Sequence, residues 1–303
     1  MSTRDPEGTM KKSIGILSRQ GLPWADADGL PESEGRFADG QRWHIEIPSV
    51  EGPAAMAAVL EQAKTMNLDI HRISQGSGIF MLTVDELKEM IDLGVNSETE
   101  VCLFVGPRAS WDIGRQPVSS SGAVAGPTLR GTDQLRYALE DVLHAVKHGL
   151  GSILVGDIGL LAVLGKAKHL GDLPSDLIIK TSVGMPCTNA ATAAVLVELG
   201  ATTLNLGTDL SLGQIASIRS SVDAPLDVYV EAPDDFGGAV RFYEIPDLVR
   251  VAAPIHIKFA ARNSPGLYPS GLHMENMVLN TARERVRRAR LGVDILNRYL
   301  LDD

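Results

Sequence analysis

A closed (β/α)8 barrel is the fold class this sequence predicts, and three observations predict it. Eight short β-branched or apolar runs recur from Arg42 onward, and amphipathic segments alternate with them. The glycine-rich first turn of a doubly wound open sheet does not follow the first run. The 303-residue chain is long enough to bury a large apolar core without disulfide or metal staples.

The eight runs are Trp43–Pro48, Asp69–Ser74, Val101–Val105, Ser152–Asp157, Leu177–Ser182, Thr202–Gly207, Leu226–Glu231 and Pro254–Phe259. Several are nearly continuous in Ile, Val and Leu, as parallel strands covered by helices require. After the first run, Ala55, Met56, Val59, Leu60 and Ala63 recur at helical spacing. Thr83 with Glu86, and Ser211 with Gln214, have the spacing of capping boxes. Asn189 opens a helix that stops at Gly200, and Glu275 to Leu301 supplies an eighth helix. Residues 1–41 stand outside the alternation and are expected to form a tail and a plug over the N-terminal mouth. Phe37 to Gln41 reads there as a hairpin turn. Residues 42–303 form the catalytic barrel. The connection from Gly106 to Gly131, rich in Gly, Ser and Pro, follows the third strand at the end where barrel active sites are built, so a lid is expected.

Composition narrows the partners. Lys and Arg number 28 against 38 Asp and Glu, a net charge of −10, which excludes a phosphate-neutralising nucleic-acid binder. The one basic cluster, Arg283 to Arg290, has helical spacing and reads as a solvated helix face. No apolar run approaches the roughly 20 residues that span a bilayer, and no signal peptide opens the chain. Two cysteines, Cys102 and Cys187, cannot hold an iron–sulfur cluster alone, and their scarcity fits a reducing, cytoplasmic setting. Barrels commonly associate, so a homo-oligomer, and a homodimer first, is expected.

Alternate residues of a barrel strand point inward, where a polar side chain is unexpected unless it has a partner or a task. One parity per strand selects Glu46, Arg72, Cys102, Asp157, Lys180, Asn205, Glu231 and Lys258, with His256 two residues before the last. Neighbour order then pairs Asp157 with Lys180 and Glu231 with Lys258, and Glu46 closes the ring. Paired charges of this kind serve either as a buried ion network or as a lysine with its acid/base partner. Arg72, with Arg108 and Arg262 on loops at the same face, is expected to hold a carboxylate or phosphate. Gly237 and Gly238 lie where barrels bind phosphate with backbone N–H groups. No cofactor is required by these residues. A divalent metal, if one is used, would take Glu46, Asp157 and Glu231 as hard oxygen ligands.

From Lys180 to Arg219 the chain resembles the collagenase-like peptidases, which include accessory proteins of ubiquinone hydroxylation. The likeness rests on the helix from Asn189 to Glu198-Leu-Gly-Ala201, the short strand after it and Asp209 to Leu212 opening the next helix. It implies a (β/α)8-type barrel. The cysteines with which many members hold an iron–sulfur cluster have no counterpart here. A shorter stretch, Ile179-Lys-Thr-Ser-Val-Gly184, is similar to the lysine motif of deoxyribose-phosphate aldolases, and the similarity implies Lys180 as a Schiff-base nucleophile.

Three readings follow. The leading one is an enzyme acting on a small anionic carbonyl or carboxylate compound by lyase or isomerase chemistry. Lys180 with Asp157, Glu231 with Lys258, and Glu46 carry the chemistry, while Arg72, Arg108, Asn205, Arg262, Gly237 and Gly238 bind the substrate. A hydrolase, metal-assisted at Glu46 and Glu231, is the second. A non-catalytic accessory barrel is the third.

Overall fold

The computed structural model describes residues 12–16, 19, 29–112, 114–185 and 187–300. Most of the expected tail, and Leu301 of the expected last helix, lie outside the described residues. Strand and helix alternate throughout: β1 (Trp43–Pro48), α1 (Pro53–Thr65), β2 (Arg72–Gln75), α2 (Val84–Asn96), β3 (Glu100–Phe104) and α3 (Gly131–Lys147). There follow β4 (Ser152–Val155), α4 (Ile158–Leu170), β5 (Ile178–Thr181), α5 (Ala190–Glu198) and β6 (Leu204–Asn205). The series ends with α6 (Leu212–Arg219), β7 (Leu226–Glu231), α7 (Ile245–Ala252), β8 (Ile255–Phe259) and α8 (Glu275–Leu300).

The strands are parallel and run in the order β5-β4-β3-β2-β1-β8-β7-β6. Lys180 bridges Thr203 across the remaining seam, where Thr181 N–H donates to Thr203 O at 3.0 Å and Thr202 N–H to Ile179 O at 2.8 Å. These contacts bring the sheet round to a (β/α)8 TIM barrel. None of its described helices is long and apolar enough to cross a membrane.

Local chemistry sets the helix starts. Thr83 and Ser211 form reciprocal capping boxes with Glu86 and Gln214, and Asn189 accepts the Thr192 N–H. Outward-facing strand residues such as Ile45, Ile73, Leu103, Ile179 and Ile257 join the main core under the helices. Cys102, Phe104 and Leu154 form a separate cluster inside the barrel. Helix α4 passes so close to the end of α5 that a Cβ on Gly165 would collide with the Leu199 carbonyl. The obstacle is backbone and cannot rotate away. Gly165→Val is therefore expected to cost about 1–3 kcal/mol or more by overpacking, read as a lowered urea midpoint.

Both ends of the barrel are covered. At the N-terminal end, Phe37 N–H donates to Gln41 O at 2.8 Å, closing a tight turn. The Phe37 ring stacks on His44 at 3.7 Å and meets His256 edge-on at 4.8 Å. At the C-terminal end, residues 106–112 and 114–130 lie over the strand termini. Arg108 donates to the Gly76 carbonyl after β2, and Leu129 N–H donates to Asp157 after β4 at 3.0 Å.

Candidate active site inside the barrel

Register and inward parity stack the interior side chains in layers contributed by alternate strands. Arg72, Ser152, Thr203 and His256 form the lowest layer. Glu46, Cys102, Lys180 and Asp227 lie above them, and Ser74, Leu154, Asn205 and Lys258 form the third layer, next toward the C-terminal mouth.

The middle layer carries a compact ion network. Lys180 Nζ contacts Glu46 Oε2 and lies 2.7 Å from Asp227 Oδ2. Arg72, from below, reaches Asp227 Oδ1 at 3.2 Å, Glu46 Oε2 at 3.4 Å and Glu100 Oε1 at 2.8 Å. Lys258, from above, lies 3.1 Å from Glu46 Oε1, which also accepts from Ser74 Oγ at 2.7 Å. Its Nζ sits 4.3 Å from the centre of the Tyr229 ring. Asn205 turns its Oδ1 to accept from Lys258 Nζ at 2.9 Å and from Val183 N–H at 3.2 Å. His256 Nδ1 is 2.9 Å from Asp227 Oδ1, and Ser152 donates to Glu100 at 2.6 Å. Arg72, Lys180 and Lys258 thus face Glu46, Asp227 and Glu100, three cations against three carboxylates, and this balance lets charges stay buried.

The electrostatics follow from these contacts. Burial pushes the Glu46 carboxyl up, but Lys180, Lys258 and Arg72 outweigh it and bring it down to about 2. Burial opposes the Asp227 charge too, yet Lys180, Arg72 and His256 hold it well below the usual carboxylate range. Arg72 likewise lowers Glu100 against its burial. Burial, and then Arg72, lower His256 although Asp227 pulls the other way. The Cys102 thiol is pushed up to about 12, chiefly by burial, so it is packing rather than a nucleophile.

Of the residues picked from sequence, Glu46, Arg72, Lys180, Asn205 and Lys258 are brought together. Asp157 is not. It caps α4, accepting from Leu160 N–H at 2.8 Å and Leu129 N–H at 3.0 Å, because β4 turns Ser152 and Leu154 inward instead. Glu231 does not pair with Lys258 either: it accepts from Arg262 N–H at 2.8 Å and lies 3.5 Å from Arg288 on α8. Four residues along β7 separate it from Asp227, the carboxylate that the network uses. Glu46, Asp157 and Glu231 consequently occupy three separate environments and do not converge on a common ligand position. Arg72 sits at the start of β2 among carboxylates, so it is not free to hold a substrate anion.

Arg108 does lie at the mouth, its guanidinium 3.8 Å over Phe104 and 4.8 Å from the Trp111 ring. Arg262 lies beside Gly238 at the ends of β7 and β8, 3.3 Å from Asp234, and Gly237 adopts the left-handed conformation there. Asp227 and Glu100 escaped the sequence reading. Their inward parity is the available signal, but a reading that takes one residue per strand represents β7 by Glu231 and β3 by Cys102.

A third grouping lies at the N-terminal end, where donor atoms of Asp39, His44 and His71 gather within 4.8 Å. The two imidazoles stack at 4.0 Å and 16°, so their in-plane lone pairs run side by side and do not converge. His71 Nδ1 already accepts the Ile45 N–H at 3.2 Å. The donor set therefore does not fit chelation of one ion. Burial, then the neighbouring His44 and His256, lower His71 to about 4, and burial lowers His44.

A base whose pKa is depressed on folding gives stability that is complete above its unfolded value and declines as pH falls. For His71 that decline runs from about pH 6.5 to pH 4. The depressed carboxylates Glu46, Asp227 and Glu100 add a second loss below their unfolded values, about pH 4 to 4.5. Urea midpoints across this range are expected to fall in two stages. His71→Phe keeps the stacking partner and removes much of the first stage, at a constant cost from the orphaned Ile45 N–H. An unchanged slope between pH 6.5 and 4.5 in that variant would contradict the assignment.

Comparison with known proteins places one stretch of the chain. No curated protein matches the sequence. Among solved structures, a U32 peptidase aligns at 16% identity over 66% of this chain and 74% of its own, with a TM-score of 0.41. Thiamine phosphate pyrophosphorylase from Pyrococcus furiosus aligns at 12% identity over 84% of this chain and 96% of its own, TM-score 0.47. A 3-hexulose-6-phosphate synthase gives 14% identity, 83% and 99% coverage, and a TM-score of 0.44. The family model of peptidase family U32 matches residues 123–232, from the loop after β3 to the end of β7. The likeness to collagenase-like peptidases carried by Lys180 to Arg219 is thus part of a longer match of this barrel to peptidase family U32.

Proposed function

We propose that the barrel is an enzyme acting on a small anionic carbonyl or carboxylate compound by lyase or isomerase chemistry, with Lys258 as the reacting amine. The observation that carries this reading is the unequal setting of the two interior lysines. Lys180 is held between two carboxylates, Glu46 and Asp227. Lys258 has one carboxylate contact, an amide oxygen and an aromatic face, and it stands one layer nearer the mouth than Lys180. The Lys258 amine has fewer anions around it and stands where a ligand can reach it, and so is the better placed nucleophile. Arg108 at the mouth supplies the charge that takes the substrate's negative group. Glu46, shared by both lysines, stays ionised and fixes the direction of the Lys258 amine.

Borohydride reduction in the presence of pyruvate and other short 2-oxo acids tests this. The expected product is a mass increment on Lys258. Increments confined to surface lysines would remove the Schiff-base form of the proposal. The hydrolase reading is disfavoured, because Glu46 and Glu231, at which it needs a metal-assisted water, lie in separate environments. An accessory barrel is supported by a different observation, the burial of Glu46, Arg72, Lys180, Asp227 and Lys258 and the charge balance of the network. That reading expects Lys258→Met to keep every function of the protein.

A further inference from the structure

The layers above Lys258 are unusual in what they lack. Pro48, Phe104, Ser182 and Tyr229 form the next layer, by the same register and parity. Over it come Gly76, Gly156, Gly207 and Ala260, so the whole upper tier contains no side chain larger than a methyl group. Two strands rise one step further, to Gly106 and Gly184. A closed barrel interior is ordinarily filled by its own strands. Here loop side chains occupy the space. The Tyr268 ring lies against Gly76 so closely that a Cβ there would collide with it. Pro127 covers Gly156 and Gly184, where added Cβ atoms would stand 2.7 Å from its Cβ and 2.8 Å from its Cγ. Phe80 covers Gly106 in the same manner. Beneath this roof Leu154, Ser182 and Tyr229 retain 8%, 7% and 7% exposure, so the floor is not sealed.

We propose that this glycine tier is a ligand chamber seen with its roof closed, and that withdrawal of Tyr268 and Pro127 opens it to a compact anion. Glycine at successive strand ends has no role in packing against water. It has one where another group must approach the backbone closely, and the loops now supply that group. The roof is held by local polar contacts that a ligand can replace. Tyr268 bonds to Ser49 through its hydroxyl, and Arg108 bonds to the Gly76 carbonyl while its Nε has no partner. An unsatisfied guanidinium N–H beside an apolar wall, Phe104 and Trp111, favours a carboxylate or phosphate on a short carbon body. The volume vacated by one tyrosine ring and one proline ring limits that body to a few carbons. The anionic class rests on the function proposed above; the gating does not.

Reductive methylation with formaldehyde and a borane reductant, read residue by residue by mass spectrometry, tests the chamber without any turnover. In the unaltered protein Lys258 and Lys180 are both protected. Tyr268→Ala and Pro127→Ala are expected to raise labelling of Lys258 by about tenfold or more through easier local opening, while Lys180, one layer deeper, stays protected. Equal labelling of both lysines would mean general unfolding and would overturn the gate, as would an unchanged Lys258 rate in both folded variants. Excess acetate or phosphate should slow labelling of Lys258 in Tyr268→Ala, and neutral butanol should not. Protection by butanol alone would overturn the anionic class. A gate that opens on a Lys258 that forms no borohydride adduct would refute the chemistry and leave the chamber standing.

Discussion

Glu46→Gln is expected to destabilise the protein by about 3–5 kcal/mol, the range for removing one partner of a buried ion pair. Glu46 is the one carboxylate that Arg72, Lys180 and Lys258 all touch, so its loss leaves a net positive charge in a dry interior. Gln matches its shape and keeps an acceptor for Ser74, which isolates charge from packing. Set against total stabilities of about 5–15 kcal/mol, such a loss removes a large share. The double variant Glu46→Gln, Lys180→Met is expected to recover part of the loss, since it deletes the cation left unpaired. Urea unfolding of the parent, both single variants and the double variant gives the coupling. Additive effects would show that the network is not a unit.

Lys258→Met should leave a folded barrel without activity, the second large effect. Its ammonium stands above the network and touches only Glu46 among its carboxylates, so although its loss leaves one net negative charge, Glu46 keeps Lys180 and Arg72 as partners. The methionine fills the stem's volume beside the Tyr229 ring. Loss of one general acid/base contributes about 10²–10⁴-fold, and loss of a covalent nucleophile removes the reaction altogether. Lys180→Met is expected to behave differently, with most of its effect on stability, because it breaks contacts to both Glu46 and Asp227. Borohydride trapping and urea unfolding of the two variants separate these roles. Equal activity of Lys258→Met and the parent would favour an accessory barrel.

Much of the architecture was legible because parallel strands under helices read as apolar runs. β1 and β7 run over the residues the sequence indicates, Trp43–Pro48 and Leu226–Glu231. β6 shrinks to Leu204–Asn205, since the seam beside it is held by Thr181, Thr202 and Thr203 and not by a long ladder. Glu46, Arg72, Lys180 and Lys258 were legible as inward residues by alternation. Asp157 was misplaced because Ser152–Asp157 offers a polar residue on either parity, and a carboxylate just before a helix is also a good cap. Glu231 lies past a register irregularity after Tyr229, opposite Phe259 of the main core and beside Arg288 of α8, so alternation counted along β7 does not hold as far as Glu231.

The sequence by itself determined eight strands, the helices between them and the set of charges that an interior could hold. The tertiary structure alone decided which charges meet. Parity assigns a side chain to a face, whereas its depth depends on strand tilt and on the stagger between neighbours, which no single strand encodes. That stagger puts Asp227 level with Glu46 and Lys180, raises Lys258 toward the mouth, and lines up Gly76, Gly156, Gly207 and Ala260 as one tier with no side chain larger than a methyl group.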